Sequence, residues 1–149
     1  MILVDTNIFI EYYKNNLMIC SVLEQMSPKE IAVSDVVCAE LYFGARNRQE
    51  LDDIVADMEK LIILTISPKI SKLAVDLVKQ YCLSRKLNCL SRKLKLPDAQ
   101  IAATAILHDA ELFTLNKKDF AYIPNTRFRK SGGVILRSDG EKKNFVPLQ

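Results

Sequence analysis

Short apolar runs and longer stretches of helical periodicity alternate along this chain. Ile2-Leu3-Val4 reads as a buried strand that stops at Asp5, and Thr6 or Asn7 can cap a helix from Ile8 to Lys14. The polar break Asn15-Asn16 separates it from a second helix, Leu17–Met26. Ile31-Ala32-Val33 predicts a strand, and Ser34 caps a helix from Asp35 to about Ala45. Glu50–Leu61 is helical and acidic on its outer face, and Leu61–Ile66 is a β-branched-rich strand. Ser67-Pro68 opens a long helix with Ile70, Leu73, Ala74, Leu77 and Val78 on one face. Pro97-Asp98 opens another, with Ile101, Ala102, Ala105 and Ile106 inward. Leu112–Leu115 is a strand followed by the polar loop Asn116-Lys117-Lys118-Asp119, and Thr126–Arg129 is a last short strand. Strands alternating with helices predict an α/β fold, a mostly parallel sheet covered on both faces.

Two segments interrupt the pattern. Cys82-Leu83-Ser84-Arg85-Lys86-Leu87 recurs as Cys89-Leu90-Ser91-Arg92-Lys93-Leu94, a seven-residue tandem repeat that lengthens the helix or the loop after it, with Cys82, Leu83 and Leu87 expected inward. From Lys130 onward, turn signals at Ser131-Gly132-Gly133 and Ser138-Asp139-Gly140 flank Val134-Ile135-Leu136. The expected organisation is one domain over residues 1–129 and a C-terminal tail or hairpin over 130–149.

Composition narrows the class. With 149 residues, 49% apolar and 26% charged, the chain is an ordinary globular domain. It has neither a membrane-length apolar run nor a leader-like N-terminus, and a cytoplasmic location is expected. Cys20, Cys38, Cys82 and Cys89 form no C-x-x-C pair, so buried free thiols are expected. With a single histidine, His108, near a helix end, any metal here takes oxygen ligands, which favours Mg²⁺ or Mn²⁺ over Zn²⁺. The net charge of +3 hides an asymmetry: residues 1–78 hold 7 basic and 12 acidic side chains, residues 79–149 hold 14 and 6. The second half can offer a basic surface to a polyanion, or simply a solvated helix face and tail.

Candidate chemistry lies in acids at or just past strand ends. Asp5 closes the first strand, the place where ligands collect in open α/β sheets. Glu40 shares a helical face with Val36 and Phe43, one to two turns beyond the second strand. Asp98 shares a face with Ile101, Ala102 and Ala105, although after Pro97 it can equally be an N-cap or a dipole partner. Asp119 follows the fourth strand, and Asn116, nearer the strand, also offers an oxygen. Converging carboxylates repel one another and a hard divalent cation relieves that repulsion, an arrangement suited to phosphodiester hydrolysis without a catalytic His, Ser or Cys. On this view Asp5→Asn removes repulsion and leaves the fold intact or steadier.

Asp5-Thr6-Asn7 after an apolar strand, Ser34–Leu41 with Glu40, Asp98 before Ile101-Ala102-Ala103-Thr104-Ala105, and Thr114-Leu115-Asn116-Lys117-Lys118-Asp119-Phe120 together resemble a PIN-domain ribonuclease over about residues 1–128. The short length and the Val4-Asp5-Thr6-Asn7 start resemble the VapC-type toxins of toxin–antitoxin pairs. The resemblance implies a three-layer α/β/α domain and a Mg²⁺- or Mn²⁺-dependent endoribonuclease, a hydrolase of RNA phosphodiester bonds. It also implies a cognate antitoxin and a homodimer. Its acidic positions match Asp5, Glu40 and Asp98, and the fourth falls on Asn116 or Asp119. Asp5, Glu40, Asp98 and Asn116 are thus the implied metal ligands, and Asp5, Glu40, Asp98 and Asp119 the implied catalytic acids. Two other readings use the same residues: a catalytically weak PIN-like scaffold for RNA or protein, which Asn116 leaves open, and an acid-pocket phosphoacceptor domain, disfavoured because a single acid ends the first strand.

Overall fold

The computed structural model describes residues 1–88 and 94–129, with side chains omitted at 84–88. The second copy of the repeat, up to Lys93, and the 130–149 segment lie outside the described residues, as do most of the basic side chains of the second half.

Strands and helices alternate as β1 (Ile2–Val4), α1 (Thr6–Tyr13), α2 (Leu17–Glu24), β2 (Ile31–Ser34), α3 (Asp35–Phe43), α4 (Arg48–Met58), β3 (Ile62–Leu64), α5 (Pro68–Asn88), α6 (Leu96–Leu107), β4 (Glu111–Phe113), α7 (Lys117–Phe120) and β5 (Arg127–Phe128). The five strands form one sheet in the order β3-β2-β1-β4-β5, and all four pairings are parallel. Leu3 stands between Ala32 and Leu112, and Val4 pairs with Phe113. Successive strand residues point to opposite faces, yet Leu3, Val4, Ala32 and Val33 are all fully buried, so helices cover both faces. The chain winds outward from β1 through β2 to β3, then returns to the other side of β1 for β4. The winding therefore reverses between β1 and β4, and the carboxyl ends at such a reversal are where open α/β sheets form their ligand crevice.

Helix caps set how the chain leaves each strand. Ser34 caps α3 as its sequence predicts, its hydroxyl accepting from the Val37 N–H at 3.3 Å. Asn16 caps α2. α5 buries Ile70, Ala74, Leu77 and Tyr81 and packs on α6, whose face of Ala99, Ala102, Ala103 and Ala105 allows close approach.

Several expectations change. Thr6 and Asn7 lie inside α1 and do not cap it; Asp5 does. The Asn116–Asp119 loop is a single helical turn, α7, because Asn116 takes the N-cap position and the Asp119 N–H bonds back to its carbonyl. Asp98 does not cap α6; Lys95 holds that position without a side-chain bond, and Asp98 sits in the first turn. β3 is an edge strand, which is why Ile63 is exposed. Cys82 and Leu83 face outward because they are rotated about 100° and 200° from Tyr81, the last residue of the buried stripe. Cys20 is half-buried and Cys38 buried. None of the described helices is long and apolar enough to cross a membrane.

Candidate active site at the carboxyl ends of the central strands

Asp5 is the first residue past β1 and is buried, with 6% of its surface exposed. Its N–H donates to the Phe113 carbonyl at 3.0 Å, which holds the ends of β1 and β4 together. One carboxylate oxygen, Oδ1, accepts from the Thr6 N–H at 2.8 Å and so caps α1. The other, Oδ2, accepts from Asn7 Nδ2 at 2.8 Å and from the Thr114 hydroxyl at 2.7 Å. Burial raises the Asp5 carboxyl above its ordinary value and the Glu40 charge adds to that rise, while the bonds from Thr114, Thr6 and Asn7 oppose it.

Glu40 comes from α3. The face it shares with Val36 and Phe43 runs from the edge of the core to the surface: Val36 is half-buried against the core and Phe43 is 94% exposed, while Val37, Cys38 and Leu41 are the buried residues of this helix. Glu40 therefore stands at the exposed edge of the crevice, where its Oε2 accepts from the Thr6 hydroxyl. Thr6 thus links the two carboxylates, its hydroxyl donating to Glu40 and its N–H to Asp5.

Asp98 enters from the first turn of α6 and is partly buried. Burial is the main cause that raises its carboxyl above the ordinary value; the charges of Asp5, Asp119 and Glu40 raise it further, and Lys95 pulls it down. Four acids from four segments of the chain therefore share one electrostatic neighbourhood. Asp119, on α7, is half-buried and felt by Asp98, whereas Asn116 is exposed and bound through its N–H to the Thr114 hydroxyl at 3.0 Å. Exposed Lys95, Lys117 and Lys118 lie on the same two elements as Asp98 and Asp119.

These side chains offer oxygen atoms only, the donor set of a hard divalent cation. Among the described residues no group of three or more His, Cys, Asp or Glu side chains forms a ready-made cage for a metal ion. Mg²⁺ does not require one, since it keeps several of its waters and binds through one or two carboxylates. The mutual repulsion expressed at Asp98 is the kind a cation relieves, so the residues fit the group.

The parts that sequence reasoning missed are neutral. Thr6 and Asn7 stood out as helix caps and, like Thr114, as parts of the motifs that carry the resemblance, with no role in the site given to any of the three. A hydroxyl directly after a buried apolar strand, level with Asp5 across the β1–β4 pairing, was the available signal.

A sequence model of the PIN domain matches residues 2–125, and the chain belongs to that family. A curated relative, Ribonuclease VapC19 of Mycobacterium tuberculosis (strain ATCC 25618 / H37Rv), is 29% identical over 127 residues, which cover 84% of this chain and 96% of the relative. Among solved structures, a toxin-antitoxin complex from Klebsiella pneumoniae is similar with 33% identity and a TM-score of 0.69, over 85% of this chain and 95% of that one. VapBC2 from Rickettsia felis, bound to a DNA fragment from its promoter, is similar with 26% identity and a TM-score of 0.66, over 87% and 98% of the two chains.

Proposed function

We propose that this PIN-domain chain is a Mg²⁺- or Mn²⁺-dependent endoribonuclease and the toxin half of a toxin–antitoxin pair. Its relatives named as a ribonuclease and as parts of toxin-antitoxin complexes support the activity and the partner. The observation that carries the chemistry is the gathering of four acids from separate elements beyond the carboxyl ends of β1 and β4: Asp5 buried at the end of β1, Glu40 joined to it through Thr6, Asp98 in the first turn of α6 and Asp119 on α7, with Asp5, Asp119 and Glu40 all felt at Asp98.

Asp5 and Asp98 hold the cation. Glu40, at the open edge and steadied by Thr6, ligates it or orients the attacking water and takes up that water's proton at its carboxylate. Asp119 supplies the fourth acid, favoured over the exposed Asn116 because its charge reaches Asp98. When bound, the cation neutralises charge at the scissile phosphate and lowers the pKa of water. Lys95, Lys117 and Lys118 hold the neighbouring phosphates of the strand. A separately encoded antitoxin closes the crevice, and the active unit is a homodimer in the cytoplasm, with the nuclease domain spanning residues 1–129.

Purified protein incubated with labelled RNA tests this directly. Cleavage is expected with Mg²⁺ or Mn²⁺, is abolished by EDTA, and is lost in Asp98→Asn. Equal cleavage in EDTA, or by Asp98→Asn, contradicts the proposal.

A further inference from the structure

The bonds around Asp5 exceed what capping a helix needs. Capping uses Oδ1 and the Thr6 N–H. Everything else converges on Oδ2 and on the turn between β4 and α7. Thr114 is buried and its hydroxyl is fully used: it accepts from Asn7 Nδ2 at 3.1 Å and from the Asn116 N–H at 3.0 Å. Both of those groups can only donate, so the Thr114 proton has one destination, Asp5 Oδ2 at 2.7 Å. Asn7 is committed in the same way, its Oδ1 accepting from the Leu115 N–H at 3.1 Å while its Nδ2 serves Asp5 and Thr114. Two side chains thus stitch the turn that begins α1 to the turn that begins α7. Asp119 is three residues beyond Asn116, and its own N–H bonds to the Asn116 carbonyl at 2.9 Å. The position of Asp119 relative to Asp5 therefore passes through Thr114 and Asn7, beside the backbone bond from the Asp5 N–H to the Phe113 carbonyl.

We propose that Asn7 and Thr114 are positioning residues, a polar clasp between the β1–α1 and β4–α7 turns that places Asp119 relative to Asp5 and thereby sets the affinity of the crevice for a divalent cation. The proposal rests on the metal-dependent reading above. Neither residue needs to touch the cation or the RNA; both act through the acids they orient.

The test is calorimetric titration of Mn²⁺ into the wild type, Thr114→Val, Thr114→Ser and Asn7→Ala, with thermal melts of each protein without metal. Loss of groups that orient metal ligands commonly weakens affinity about 10- to 100-fold, and that loss is expected for Thr114→Val and Asn7→Ala with a cooperative melt retained. Thr114→Ser keeps the hydroxyl and is expected to recover most of the affinity. Asn7 is only half-buried, so Asn7→Ala carries the test if Thr114→Val fails to fold. Wild-type affinity in both Thr114→Val and Asn7→Ala overturns the clasp, as does a Thr114→Ser protein as weak as Thr114→Val. Wild-type protein that takes up no Mn²⁺ overturns the metal-dependent reading itself, a separate and recognisable result.

Discussion

Among the described residues two carboxylates are buried, Asp5 at 6% and Asp57 at 1% exposure, and they are accommodated in opposite ways. Asp57, on α4, is paired with a cation: Lys60 Nζ, from just past the end of the helix, lies 3.0 Å away, and the Tyr13 hydroxyl of α1 donates at 3.4 Å. Asp5 has only neutral donors among the described residues, and its carboxyl is raised by burial and by the nearby Glu40. One buried charge is thus balanced within the protein. The other is held in place, surrounded by further acids, and left without a positive partner. On the proposed reading, the buried acid that takes its positive charge from outside belongs to a binding site, whereas the buried acid with its own lysine secures α4 against α1.

Replacing one acid of each kind separates the two roles. Asp98→Asn is expected to lower RNA cleavage by at least about 100-fold, since even outer groups around a metal cost up to that much. Asp57→Asn is expected to leave cleavage per folded molecule unchanged in the same assay. Its effect belongs in urea unfolding, where loss of the charged partner of Lys60 and Tyr13 costs about 1–3 kcal/mol. A large loss of cleavage in Asp57→Asn with unchanged stability breaks the comparison.

A smaller effect sharpens it. In the metal-free protein the Asp98 carboxyl is raised, so the folded state holds its proton more tightly than the unfolded chain does. Stability contributed there falls as pH rises from about 4 through the raised value, and it is restored on acidification. Asp98→Asn does not titrate. It is therefore expected to be the more stable protein at neutral pH, by on the order of 0.5 kcal/mol for partly screened like charges, and to lose that advantage at low pH. Unfolding curves of both proteins over that range, in EDTA, check the sign. Added Mn²⁺ reverses it, because the cation favours the charged form.

The same logic does not extend to Asp5, where the structure overturns an expectation from sequence. Removing its charge reads as relief of repulsion. Yet both oxygens accept, Oδ1 from the Thr6 N–H and Oδ2 from Asn7 Nδ2 and Thr114 Oγ1, so an asparagine amide sets its NH2 group against a donor in either orientation. Asp5→Asn therefore disturbs the helix cap or the clasp as well as the charge, which makes Asp98 the cleaner position.

What could be read from the chain was what short-range periodicity and caps encode. Ile2-Leu3-Val4 ending at Asp5, Ser34 before α3 and Pro97 at the start of α6 each announce a local event, and each is found. The alternation of strands and helices then led to the parallel sheet. Glu40 was harder because α3 is apolar on more than one side: Val36 and Phe43 resemble a core stripe, and only packing against α1, α4, α6 and β2 decides that Val37, Cys38 and Leu41 are the buried residues. The fourth acid was ambiguous for another reason. Asn116 and Asp119 differ by less than one helical turn, and what distinguishes their surroundings is Thr114, whose hydroxyl accepts from the Asn116 N–H and donates to Asp5, 109 residues earlier. Such a link between distant turns leaves no periodic trace.

The central claim is that one divalent cation binds among Asp5, Glu40, Asp98 and Asp119. Paramagnetic broadening by substoichiometric Mn²⁺ in ¹H–¹⁵N spectra of the wild type locates the ion without relying on activity. The account predicts that the amides of Thr6, Asn7, Asp98, Leu115 and Asn116 broaden first, that those around Asp57 and Lys60 stay sharp, and that Asp98→Asn needs far more Mn²⁺ for the same effect. Broadening centred elsewhere, or a wild-type spectrum indifferent to Mn²⁺, contradicts it.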